Sequence, residues 1–196
     1  MRTTTTRIIA GLGAAAVLAA GAATVATTAR ADNSKPTAWA SLVDTTGADA
    51  GHVWFYVRGD TTRVRVKFDH ASATTDAFHG FHLHGNLDGA GCVAPSFTSV
   101  GGHWADATHA THADHLGDMP SLYVFDENGR SKADVWFHTK RIDPAALVGR
   151  AVIVHAGPDN FANIPTRYAP APDTATLNTG DAGGRIACGV VQAANG

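Results

Sequence analysis

The chain of 196 residues has only two cysteines, a single glutamate (Glu127) and no excess of positive charge, with 15 basic against 17 acidic side chains. Two cysteines are too few for a disulfide-dense scaffold or a four-thiolate zinc module. A net charge of −2 and a pI near 6.6 argue against a nucleic-acid surface built on a basic patch. One glutamate, placed in a turn-like segment, is a poor general base for a zinc hydrolase. No sustained helical periodicity appears beyond residue 31. What the chain does have is histidine, 11 of them, together with 44% hydrophobic residues, enough to build a core.

The first 31 residues read as a secretory signal peptide. Arg2 and Arg7 supply a positive start, Ile8 to Ala26 is an uncharged run of mostly small and aliphatic residues, and Ala29-Arg30-Ala31 has the small-x-small form of a cleavage site. Three of the basic residues (Arg2, Arg7, Arg30) and none of the acidic ones lie in this segment. The mature domain, 32–196, therefore carries 12 basic and 17 acidic residues, a net charge of −5. The reading implies a secreted protein, outside the cytoplasm or retained in the periplasm or cell wall, with no stable membrane span after cleavage. An oxidising compartment also permits a disulfide between Cys92 and Cys188.

The mature chain is patterned as strands. Val53 to Val57 is a β-rich run ending at Arg58-Gly59-Asp60, and Val64, Val66 and Phe68 alternate with Arg63, Arg65 and Lys67. Leu122 to Phe125 and the alternating Ala133, Val135 and Phe137 flank Asn128-Gly129, a hairpin signal. Ala151 to Val154 and Ile186 to Val191 read as buried strands, and Asp143-Pro144 as the start of one helical turn. Two long stretches, about Gly85 to Pro120 and Gly157 to Gly184, have no periodicity; loops of that length are usually functional. Together these predict an all-β fold, a sandwich or barrel carrying a site on two long loops.

The densest chemistry is Phe81-His82-Leu83-His84. Residues two apart on a strand face one side, so His82 and His84 present two imidazoles to one point, a donor set that suits copper or zinc. His103 follows Gly101-Gly102. His109, His112 and His115 come at three-residue spacing, and His115-Leu116-Gly117-Asp118 adds a carboxylate. His155 closes the apolar run that precedes it. His52, His70 and His138 read as structural or solvated, and His79 as a surface residue or one lying behind a ligand.

In their order, Gly80-Phe81-His82-Leu83-His84, Gly91-Cys92 with Gly102-His103, His115-Leu116-Gly117-Asp118, and Val154-His155 with Gly184-Arg185-Ile186-Ala187-Cys188-Gly189-Val190 resemble the secreted bacterial copper/zinc superoxide dismutases. The resemblance covers most of residues 40 to 192. It implies a Greek-key β-sandwich or barrel, immunoglobulin-like in architecture. It implies copper on His82, His84, His103 and His155, with His103 as a bridging imidazole and a participant in catalysis. It implies zinc on His103, His112, His115 and Asp118. Arg185 would be the catalytic guanidinium beside copper, Asp159 the carboxylate linking a copper ligand to a zinc ligand, and Cys92–Cys188 the intrasubunit disulfide. Superoxide would be the substrate, no nucleic acid a partner, and a homodimer is compatible with the family.

The resemblance has one departure. The stretch from His103 to Asp118 is shorter than in eukaryotic members and offers both His109 and His112 as the remaining zinc histidine. His112, nine residues after His103 and within a compact H-x-x-H-x-G-D string, is preferred. The second loop lacks the acidic and lysine cluster of many eukaryotic members, which leaves guidance of substrate chiefly to Arg185. The alternative reading is a secreted copper-binding protein without turnover on the same scaffold.

Overall fold

The computed structural model describes residues 35–71, 76–165, 167 and 172–194. The signal-peptide segment expected at 1–31 lies outside the described residues. Ten strands follow in order: β1 (Ala38–Asp44), β2 (Asp49–Arg58), β3 (Thr61–His70), β4 (Ala77–His79), β5 (Phe81–His84), β6 (Leu122–Glu127), β7 (Arg130–Thr139), β8 (Ala151–His155), β9 (Arg185–Val190) and β10 (Gln192–Ala193). All paired neighbours are antiparallel, in the order β4-β6-β7-β3-β2-β1-β9-β8-β5, with β10 on β1. The two ends of that order, β4 and β5, are consecutive in the chain with only Gly80 between them. The sheet therefore curls into a nearly closed Greek-key barrel, the all-β architecture expected.

The alternation in sequence becomes the inside and outside of this barrel. On β3, Val64, Val66 and Phe68 are buried while Lys67 is exposed. Phe55 is fully buried from β2, with Trp54 and Tyr56 on the opposite face. On that outer face Trp39, Trp54, Arg65 and Trp136 stand in one cross-strand row. Arg63 lies 4.6 Å from the centroids of both Tyr56 and Trp136. Contacts of this kind contribute about 0.5–1 kcal/mol each at exposed sites. The hairpin expected at Asn128-Gly129 joins β6 to β7, both residues having positive φ (57° and 76°), as a tight primed turn requires.

The two long loops are 85–121 and 156–184. The second contains a short helix that the sequence pattern did not reveal, α1 (Thr174–Thr179), capped by the Asp173 carboxylate accepting from Thr176 N. Six residues are too few to show an amphipathic period, so only the cap could have signalled it. The turn at Asp143-Pro144 forms as expected, with the Asp143 side chain accepting from Ala145 N. A disulfide joins Cys92 in the first loop to Cys188 on β9, a separation of 96 residues. Beneath it Phe97, Val100, Ala151 and Ile153 form a small apolar cluster of their own. Among the described residues no helix is long and apolar enough to cross a membrane.

Candidate metal centre

Strand β5 carries His82 and His84 inside the fold, both buried. On one side it pairs with β8, which ends at His155. On the other side the first loop returns to it: Leu83 N donates to Gly117 O at 2.9 Å and Trp104 N to Leu83 O at 2.8 Å. The backbone thus brings His103 opposite His84 and Asp118 opposite His82. Gly117 is required at this crossing, because a Cβ there would lie 2.2 Å from Leu83 O. That is a physical reason for glycine inside His115-Leu116-Gly117-Asp118.

Two donor sets result. One ligating atom from each of His82, His84, His103 and His155 falls within a 4.8 Å span, and the same holds for His82, His103, His112 and Asp118. His115 joins the second set: its Nδ1 is 3.3 Å from His103 Nδ1 and 3.4 Å from Asp118 Oδ1. Asp118 Oδ1 is also 3.2 Å from His103 Nδ1 and 3.3 Å from His112 Nδ1. The structure therefore brings His112 into the cluster and leaves His109 outside it. The His109 backbone N–H is held instead by the Asp106 carboxylate at 2.8 Å.

The outer nitrogens are fixed in turn. His84 Nδ1–H donates to Gly101 O at 2.9 Å, His155 Nδ1–H to Gly183 O at 3.0 Å and His79 Nδ1–H to His155 O at 2.7 Å. Asp159 accepts from His82 Nε2 at 2.8 Å and from His112 Nε2 at 2.7 Å, one carboxylate oxygen each. Such partners select the tautomer and turn the opposite nitrogen inward. His79 is buried behind a member of the cluster. Its adjacency to Gly80 was the only hint in the sequence.

The inward nitrogens test whether the site suits metal. His82 Nδ1 and His103 Nε2 are buried and make no hydrogen bond, an arrangement that costs free energy unless a ligand accepts their lone pairs. A tetrahedral ion with bonds of 2.0–2.1 Å keeps its donor atoms about 3.3 Å apart. The contacts among His103, His112, His115 and Asp118 given above have that separation. His84 Nε2 and His155 Nε2 stand 3.4 Å apart on the other side. The residues fit two ions sharing His103.

Charge divides the two sets. Burial pushes His103 down to about 4 and His155 to about 3, with nearby imidazoles adding to the effect for His155. Burial likewise holds His84 well below the ordinary histidine value. Burial also opposes protonation of His112, but the Asp118 and Asp159 carboxylates outweigh it and lift the group to about 9. Burial alone would raise both carboxylates. Hydrogen bonding from His103 and His112 nonetheless holds Asp118 far below the carboxylate range, and His112 and His82 do the same for Asp159.

Arg185, first residue of β9, donates to Phe97 O and, at 2.6 Å, to Gly101 O. Its guanidinium lies on the wall of an open cavity of about 600 Å³ that also exposes His84, His103 and His155. Ala175, Asn178 and Thr179 of α1, and Asp181 beyond it, also line the cavity.

Residues 49–191 match the family model for copper/zinc superoxide dismutase (SODC). The chain is 38% identical over 130 residues to the copper/zinc superoxide dismutase of Mycobacterium tuberculosis, covering 60% of this chain and 54% of that protein. It thus spans little more than half the length of that relative. To the copper/zinc superoxide dismutase of Deinococcus radiodurans it is 31% identical over 182 residues, covering 84% of this chain and 89% of that one. Among solved structures, the SOD-like protein of Bacillus subtilis is similar in fold, with a TM-score of 0.57 and 22% identity over 78% of this chain and 96% of that one. The clock protein EA4 has a TM-score of 0.58 and 27% identity over 82% and 97%. By sequence and by the arrangement of its histidines, the chain belongs to the copper/zinc superoxide dismutase family.

Proposed function

We propose that this protein is a secreted bacterial superoxide dismutase that converts two superoxide ions and two protons into dioxygen and hydrogen peroxide. The observation that carries the reading is His103. Its Nδ1 faces Asp118 and His115, while its Nε2 is buried without a hydrogen bond among the other histidines. In this reading copper is held by His82, His84, His103 and His155, and zinc by His103, His112, His115 and Asp118. Bound copper supplies the one-electron exchange, which zinc, lacking redox chemistry, cannot. Residues 1–31 act as the export signal, and the mature domain works outside the cytoplasm.

The chain's own residues do the rest. Arg185 presents a fixed positive charge at the cavity wall, braced by two backbone carbonyls. It offsets the net negative charge of the mature domain and draws a small anion inward. His103 takes up a proton at Nε2 and passes it to the forming peroxide. Asp159 keeps the His82 and His112 rings oriented, one carboxylate oxygen on each.

Metal analysis of the mature protein, paired with superoxide consumption before and after copper removal, tests the reading. One copper per chain and copper-dependent consumption are expected. Tight copper without turnover would identify a copper-binding protein instead. Arg185→Ile should slow consumption about tenfold and flatten its dependence on ionic strength; equal salt slopes for the variant and the wild type would refute the steering role.

A further inference from the structure

Within the first loop His112 Nδ1 meets Asp118 Oδ1 at 3.3 Å. Its further support comes from the second loop. His112 N donates to Leu177 O of α1 at 3.0 Å. The His112 ring lies flat against Phe161, with centroids 6.3 Å apart and planes at 10°. Its Nε2–H is held by Asp159 Oδ1, which also accepts from Phe161 N at 2.7 Å. Asn160 N closes the turn on Gly180 O at 2.9 Å.

Two backbone features make this arrangement possible. Phe161 has φ of 55°, a left-handed conformation that is an outlier for a bulky side chain. Strain of this kind persists where the surroundings over-determine it. Here the strained turn lays the Phe161 ring on His112. Gly180 is also left-handed, with φ of 60°, and forms the floor beneath both groups. A Cβ on it would lie 1.9 Å from Asp159 Oδ1 and 2.5 Å from His112 Nε2.

We infer that Phe161 and Gly180 are positioning residues for zinc: together they clamp His112 from the second loop. The inference rests on the zinc assignment proposed above. It gives the strained turn and the glycine one purpose, which is to hold the His112 ring so that Nδ1 faces Asp118.

The test is zinc affinity of the copper-loaded protein by competition with a chelator, with copper affinity and thermal unfolding of the metal-free protein measured in parallel. Phe161→Gly removes the ring while relaxing the backbone, since glycine accepts positive φ freely. A purely structural role for Phe161 predicts unchanged zinc binding and equal or greater stability. The clamp predicts zinc affinity weakened about tenfold or more, with copper affinity nearly unchanged and no loss of melting temperature. Phe161→Tyr, which keeps the ring, should retain wild-type zinc affinity. Gly180→Ala should weaken zinc at least as much as Phe161→Gly, because Asp159 and His112 must both move. If Phe161→Gly holds zinc as tightly as the wild type, the clamp is refuted while the zinc assignment stands. If the wild type takes up no zinc, the zinc assignment is overturned and the clamp with it.

Discussion

The two halves of the metal centre are built on different principles. His82, His84 and His155 sit on adjacent β-strands, and two of them are oriented by backbone carbonyls. Strand pairing fixes their Cα positions, and burial keeps His84 and His155 neutral. His112, His115 and Asp118 sit on a loop, and their order comes from carboxylates and from contacts with another loop. Charge, not strand geometry, gathers this half. On the strand side the donors His84 and His155 are kept neutral, whereas the loop side includes a carboxylate donor, Asp118. Asp159, His103 and His82 are points where the halves touch.

Loss of a donor from each half should break the comparison most visibly. His84→Ala is expected to abolish copper-dependent superoxide consumption, while His115→Ala should release zinc and leave measurable consumption. Metal content and activity of the two purified variants check this. Equal loss in both would mean that the halves are not separable.

A smaller effect should appear in the pH dependence of folding without metal. His103 and His155 fall from the ordinary 6.5 to about 4 and about 3 in the folded protein. Below pH 6.5 the unfolded chain therefore binds more protons at these groups, and stability should decline as pH drops toward 3. His112 moves the other way, to about 9. Its contribution is complete below pH 6.5 and should be lost as pH rises through 9. Denaturant unfolding of the metal-free protein across pH should thus show a maximum near neutrality, with the alkaline arm removed in His112→Gln. An unchanged alkaline arm in that variant would sink the assignment of this arm to the loop half.

Much of this was legible in the residues. Alternation marked β3, Asn128-Gly129 marked the turn between β6 and β7, and spacing put His82 with His84 and His115 with Asp118, because such side chains share a strand or a short turn; the resemblance to a known family added His103 and His155 as candidate donors. Legibility fell off where contact depended on distant segments. For His79 the sequence left open a surface place or one behind a ligand, and β8 decides it by placing the His155 carbonyl against the ring. Nothing in the sequence pattern singled out Phe161 or Gly180, which folding sets against His112.

By itself the sequence determined the family, the all-β class and the donors that gather as copper and zinc candidates, since these follow from residue types in a given order. It already preferred His112 to His109, from its place nine residues after His103. The tertiary structure adds what holds His112 there: a backbone bond to α1, a ring from residue 161 and a carboxylate from residue 159. Those partners lie 47 to 65 residues away along the chain, and no spacing within the first loop shows that they will meet it.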